Sequence, residues 1–291
     1  MLDKCLLCPH NCGVNRIDGK IGRCKSGKNV KISLYSLFHY EEPCISGTAG
    51  SGAVFFSNCN LNCVFCQNYK ISQLGYGKEI SISELADIFL ELQEKGAHNI
   101  NLVTPTAYIY QIIEALKIAK QKGLNLPIIY NTNGYESLDT IKLLADYVDV
   151  YLPDFKYFDN NLAKKYSNIN NYFETASKAI LEMYYQVGLP KFDDSGLIQK
   201  GIIIRHLVLP NHIQNSKDVL LWIKENMPKN ILVSIMAQYF PTYKANNFDE
   251  INRKLTPEEL EEIKKYLELI NLENGYIQEL EDDEIKYVPD F

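Results

Sequence analysis

The stretch FFSNCNLNCVFCQN, residues 55–68, sets Cys59, Cys63 and Cys66 in the spacing C-x3-C-x2-C. Thiolates this close together can wrap one [4Fe–4S] cluster. Four ligands would complete an ordinary cluster. Three leave one iron open to a small molecule, or else require a histidine or distant cysteine to finish a zinc site. A second set, CLLCPHNCGVNRIDGKIGRC, gives C-x2-C-x3-C-x11-C from Cys5, Cys8, Cys12 and Cys24. Four ligands at those spacings suit a closed structural zinc or a second iron–sulfur cluster. His10 could replace one of them, but its place in a tight turn between cysteines favours a loop role. Cys44 stands apart. All eight cysteines fall in the first quarter of the chain. Disulfides are rare in reducing compartments, so such clustering favours metal.

The elements that must hold these groups can be read from the remaining chain. Its 291 residues, 46% hydrophobic, can bury a substantial core. The formal net charge of −6 gives no electrostatic case for binding nucleic acid. The start, MLDKCLLCPHNCGVNR, lacks the apolar core and cleavage site of a signal peptide. No apolar run is long enough to predict a membrane span. The expected location is the cytoplasm.

A strand–helix alternation follows the cysteines. Apolar runs at 52–57, 99–104, 127–132, 148–154, 201–209 and 230–236 predict strands. Helical spacing predicts helices at 81–96, 107–122, 136–145, through about 186, 215–226 and 256–269. Near-continuous apolar strands of this kind belong to a parallel sheet covered on both faces. Six β–α units predict an α/β fold with right-handed crossovers, too few for an eight-unit barrel. Polar residues recur just after the strand ends, at Thr104, Asn131, Asp154, Arg205, His206 and Gln238. That edge is where α/β folds build sites.

The loop Cys59-Asn-Leu-Asn-Cys63-Val-Phe-Cys66, with an aromatic before its last cysteine, resembles the cluster loop of radical S-adenosylmethionine (SAM) enzymes. EPCISGTAGSGAVFFSNCNLNCVFCQNYKIS, NLVTPT, YLPDFKY and IRHLVLP resemble the uncharacterised relatives of pyruvate formate-lyase activating enzyme, over essentially the whole chain. The resemblance implies a partial (β/α)6 barrel over residues 49–291 behind a cysteine-rich metal-binding segment over 1–48. It implies that Cys59, Cys63 and Cys66 hold three irons while SAM chelates the fourth. Reduction would then cleave SAM to methionine and a 5′-deoxyadenosyl radical that abstracts hydrogen. An electron donor such as a flavodoxin or ferredoxin is expected.

The resemblance also suggests cofactor contacts. Phe65 would lie by the adenine. Thr104 and Thr106 stand where activating enzymes carry a Gly-Gly-Glu segment, a departure from the family pattern. Asn131 and Asn133 follow the third strand, in reach of ribose or substrate. Asp154 and Lys156 match an Asp-x-Lys segment, with Lys156 able to pair with the SAM carboxylate. Arg205 and His206 could steady SAM or receive a substrate carboxylate.

The leading expectation is hydrogen abstraction from a protein or peptide, in the manner of a glycyl-radical-enzyme activase. The alternatives are radical modification of a small molecule or nucleic acid, or a non-enzymatic iron–sulfur electron carrier.

Overall fold

The computed structural model describes residues 2–280, 289 and 291. In chain order the elements are β1 (Val30–Phe38), α1 (Pro43–Ser46), β2 (Ser51–Phe56), α2 (Tyr69–Ser72), β3 (Lys78–Ile80) and α3 (Ile82–Glu94). Next come β4 (Ile100–Val103), α4 (Ile109–Gln121), β5 (Ile128–Thr132), α5 (Leu138–Leu143), β6 (Val150–Pro153), α6 (Asn160–Ser167) and α7 (Tyr172–Val187). The chain continues through β7 (Lys191–Phe192), β8 (Ile198–Leu207), α8 (Ile213–Asn226), β9 (Leu232–Met236), α9 (Pro257–Leu269) and β10 (Gly275–Ile277).

The strands form one sheet in the order β10-β9-β8-β6-β5-β4-β2-β1-β3, with β7 paired to β8. From β2 to β10 neighbouring strands run parallel, whereas β1 pairs antiparallel with both β2 and β3. The sheet therefore curls without closing, as a partial barrel with a six-strand parallel centre from β2 to β9. β1 was not anticipated. VKISLYSLF is a half-buried strand, flanked by β2 and β3, lying within the cysteine-rich first 48 residues, so that segment already contributes to the sheet.

Helix ends follow local chemistry. Ser81 and Glu84 form a capping box on α3, and Thr256 and Glu259 do so on α9, where Pro257 opens the first turn. Among the described residues no helix is long and apolar enough to cross a membrane.

Successive side chains on a strand face opposite sides of the sheet. Tyr130, Tyr151, Ile202 and Ile204 pack in the core under the helices. Their neighbours Ile129, Val150, Leu152 and Ile203 form a separate cluster on the concave side, joined by Cys44 and Ile45 of α1. Thus α1 plugs the concave side, and the acidic residues just before it are carried there.

Candidate active site at the barrel mouth

The concave phase of three strands ends in polar residues: Asn131 on β5, Asp154 just after β6, and Arg205 on β8. Asp154 and Arg205 pair across the sheet as an isolated bridge. Gly134 permits the packing there. It has φ +80°, and a Cβ would lie 2.3 Å from the Asp154 carbonyl oxygen.

These residues form one connected ion network. Asp154 Oδ1 accepts from Arg205 Nε at 2.9 Å, and Oδ2 accepts from Lys156 Nζ at 2.5 Å. Arg205 also donates through Nη1 to Glu41 at 3.1 Å and through Nη2 to Asn131 at 2.6 Å. Glu41 Oε1 accepts from Asn101 and Asn131. The Lys156 and Asp154 side chains are only 13% and 12% exposed, so this is no surface pair.

Burial alone would shift both groups toward their neutral forms. Opposite charges outweigh it, so Asp154 titrates below its ordinary value, held down by Lys156 and Arg205, and Lys156 titrates above its own. Burial lifts Glu41 to about 7 against the pull of Arg205.

The loop bearing Cys59, Cys63 and Cys66 leaves β2 at the same mouth. Asn58, in the left-handed region at φ 73°, starts it, and its amide donates to the Ile71 carbonyl. Main-chain bonds from Asn62 to Ser167 and from Val64 to Tyr166 pin it to α6. Each sulfur has a polar neighbour: Asn133 Nδ2 at 3.4 Å for Cys59, Ser167 Oγ at 3.0 Å for Cys63, and Ser72 Oγ at 3.1 Å for Cys66. Burial raises all three thiols, Cys63 to about 11, while the nearby Lys156 charge opposes the shift at Cys63 and Cys66.

The donor set fits an iron–sulfur cluster. All three thiols are free, hydroxyl and amide groups stand ready to donate to thiolate sulfur, and a cation lies beside them. Among the described residues no three His, Cys, Asp or Glu side chains converge as a cage for a single ion. Cluster ligands bind different irons and need not converge in that way.

The amino-terminal cysteines fold back on this loop. Cys5 and Gly13 are bonded main chain to main chain, Leu7 O accepts from Ser137 and Thr140, and Arg16 donates to Ala107 O and Cys24 Sγ. Cys5 feels the charges of Cys12 and Cys24, and burial lifts Cys8 to about 12, with Cys24 and Cys5 adding to the shift. His10 bridges the two cysteine sets: its Nε2 lies 2.8 Å from the Asn60 carbonyl oxygen, and its ring packs on Tyr135.

The other expected contact residues have protein partners of their own. His206 occupies the opposite strand phase from Arg205. It is fully buried against α8, with Nδ1 2.7 Å from Phe155 O and Nε2 2.8 Å from Ser216 Oγ. Burial lowers it to about 4. Phe65 packs inward against Tyr166 and Tyr239. The Thr106 hydroxyl is engaged by Glu136 at 2.6 Å. Asn133 holds Cys59 and Asn60, acting on the loop. Thr104, at φ 60°, stays at the mouth, its amide bonded to Asn131 O.

Glu41, Glu42, Asn101 and Ser167 were not anticipated. The adjacent carboxylates in HYEEPC were the available signal, but only the fold carries them to the mouth.

An open parallel α/β sheet with a cysteine loop and a buried cation at its carboxyl edge defines a cofactor-dependent enzyme architecture. The chain belongs to the radical SAM superfamily, whose family model matches residues 53–223. It is similar to the uncharacterized protein MJ0674 of Methanocaldococcus jannaschii, 34% identical over 94% of this chain and 76% of that one. It is similar also to the pyruvate formate-lyase-activating enzyme of Clostridium pasteurianum, 22% identical over 72% of this chain and 82% of that one. Among solved structures, the FeFe-hydrogenase maturase HydG from Carboxydothermus hydrogenoformans shares the fold, with TM-score 0.52 and 14% identity. That match covers 79% of this chain but only 54% of HydG, so the chain spans about half the length of that structure. Family membership implies a [4Fe–4S] cluster and SAM binding.

Proposed function

We propose that Cys59, Cys63 and Cys66 ligate three irons of a [4Fe–4S] cluster, that SAM binds beside them at the barrel mouth, and that the substrate is a protein or peptide. The observation that carries this reading is the position of Lys156. It is held by Asp154 within electrostatic reach of Cys63 and Cys66, at the mouth the cysteine loop shares. When bound and reduced, the cluster supplies the electron that cleaves SAM to methionine and a hydrogen-abstracting 5′-deoxyadenosyl radical.

The chain's own residues bind and orient. Lys156 receives the SAM carboxylate as a charge-assisted hydrogen bond. Asp154 fixes the ammonium, and Arg205 fixes Asp154. Ser167, Ser72 and Asn133 donate to the cluster thiolates. Phe155, Tyr157 and Tyr172, all fully buried, keep water from beneath the site. Cys5, Cys8, Cys12 and Cys24 would hold a second metal group, another cluster or a zinc ion around which these thiols would first have to converge, and so fix the amino-terminal segment against the loop through His10. A flavodoxin or ferredoxin would supply the electron. The relative named as an activating enzyme supports a protein substrate.

Anaerobic reconstitution, dithionite reduction and chromatography test the reading. Release of 5′-deoxyadenosine from SAM is expected. A fully clustered protein that binds no SAM would instead make the chain an electron carrier.

A further inference from the structure

The concave side holds a cavity of about 470 Å³ next to the ion network, walled by Glu42, Arg205, Ser234, Gln238, Tyr276 and Gln278. Two acceptors of its lining, on Glu42 and Gln278, are buried without a donor among the described residues. The Arg205 guanidinium is committed to Asp154, Glu41 and Asn131. Gln278 Nε2 donates to Gln238, and Gln278 Oε1 is buried with no partner among the described residues. Glu42 is only 8% exposed, yet its Oε2 is buried and has no hydrogen-bond partner among the described residues. Its charge is felt by Glu41, Arg205, Cys44 and Tyr276, which places the carboxylate at the centre of this wall.

Charge tells the same story. Among the described residues, Glu41 and Asp154 are paired with Arg205 and Lys156, and Glu42 is paired with no cation. A buried carboxylate without a cation or donor is costly and is ordinarily paired. Met236, Tyr276 and Ile277 add apolar wall, suited to an aliphatic stem.

We propose that this cavity is the substrate pocket and receives a cationic nitrogen, an ammonium or guanidinium on an aliphatic stem, against Glu42. Such a group supplies both the missing charge and the missing donors. It is equally available on a small amine and on a lysine or arginine side chain of a peptide. The chemistry done in the pocket rests on the radical SAM reading; the binding does not.

The test uses the full-length reconstituted protein with SAM present. Ligand-observed NMR titrations compare n-butylammonium with butanoate, and a capped Gly-Lys-Gly peptide with capped Gly-Glu-Gly. The cationic member of each pair is expected to bind and the anionic one not. A preference for the amine or for the peptide assigns the source. Glu42→Gln keeps the side-chain volume and should weaken cation binding about tenfold or more, the effect of losing a charge-assisted bond. The wild-type comparison needs no variant, so misfolding of Glu42→Gln cannot shield the proposal. Equal binding of butanoate, no binding of either cation, or unchanged affinity in a folded Glu42→Gln protein would overturn it. SAM cleavage without cation binding defeats this inference alone. Glu42-dependent cation binding without SAM cleavage defeats the radical reading alone.

Discussion

The Nζ atom of Lys156 lies 2.5 Å from Oδ2 of Asp154, two residues earlier in the chain. The extended backbone past β6 puts both side chains on one face, and Arg205 holds the other Asp154 oxygen. Lys156 is thereby positioned before any ligand arrives. Lys156→Ala should weaken SAM binding about tenfold or more, because a hydrogen bond to a charged group contributes roughly 1.5–3 kcal/mol. Iron content should not change, since lysine is no cluster ligand. SAM titration of the reconstituted variant reads the first effect and iron analysis the second.

The two cysteine sets should load independently. Alanine at Cys59, Cys63 and Cys66 is expected to abolish the oxygen-sensitive cluster. Serine at Cys5, Cys8, Cys12 and Cys24 is expected to remove the second metal and spare the first. Iron, sulfide and zinc counts after anaerobic reconstitution decide it. If about four irons per chain survive with all seven positions changed, the ligand assignment is wrong.

Glu136 should make stability depend on pH. Thr106, Thr132 and Tyr130 all donate to its Oε1, while Oε2 is buried without a partner among the described residues. Burial raises it from 4.5 to about 7 despite those bonds. A carboxyl raised on folding favours the folded state most below its unfolded value, and this contribution is lost as pH rises toward 7. The effect is roughly 3 kcal/mol, at about 1.4 kcal/mol per pKa unit. Glu136→Gln removes the titration. Its stability relative to wild type should therefore improve by that amount between pH 4.5 and pH 8, as measured by urea unfolding of the metal-free protein. Glu41 and His206 titrate in both proteins and cancel in the difference. A difference that is flat with pH would refute the assignment.

His206 should prove structural. His206→Ala leaves the Phe155 carbonyl and the Ser216 hydroxyl without their partner and opens a cavity, costing about 2–4 kcal/mol. SAM affinity of the folded variant should stay within twofold or so of wild type, a shift well under the ~1.4 kcal/mol of a tenfold change. A tenfold loss with stability intact would return His206 to the site.

The cysteine spacing and the layered order of the fold were legible before any tertiary contact was known. Cys59, Cys63 and Cys66 sit within eight residues, so covalent connection keeps them together in any fold. The apolar runs of β2, β4, β5, β6, β8 and β9 marked buried strands because both of their faces had to be apolar. Strand phase was also present in IIYNT, VYLPD and IIIRHL, where Asn131, Asp154 and Arg205 each fall in step with inner-face residues. Which phase turned inward was not readable, because apolar residues fill both faces. Only packing of the helices against Tyr130, Tyr151 and Ile204 decided it, turning Arg205 to the mouth and His206 to α8. Strand β1 and the carboxylates Glu41 and Glu42 were likewise fixed by tertiary structure. The Glu41 partners Asn101, Asn131 and Arg205 lie 60 to 164 residues away, a separation at which local propensity and spacing carry no information about contact.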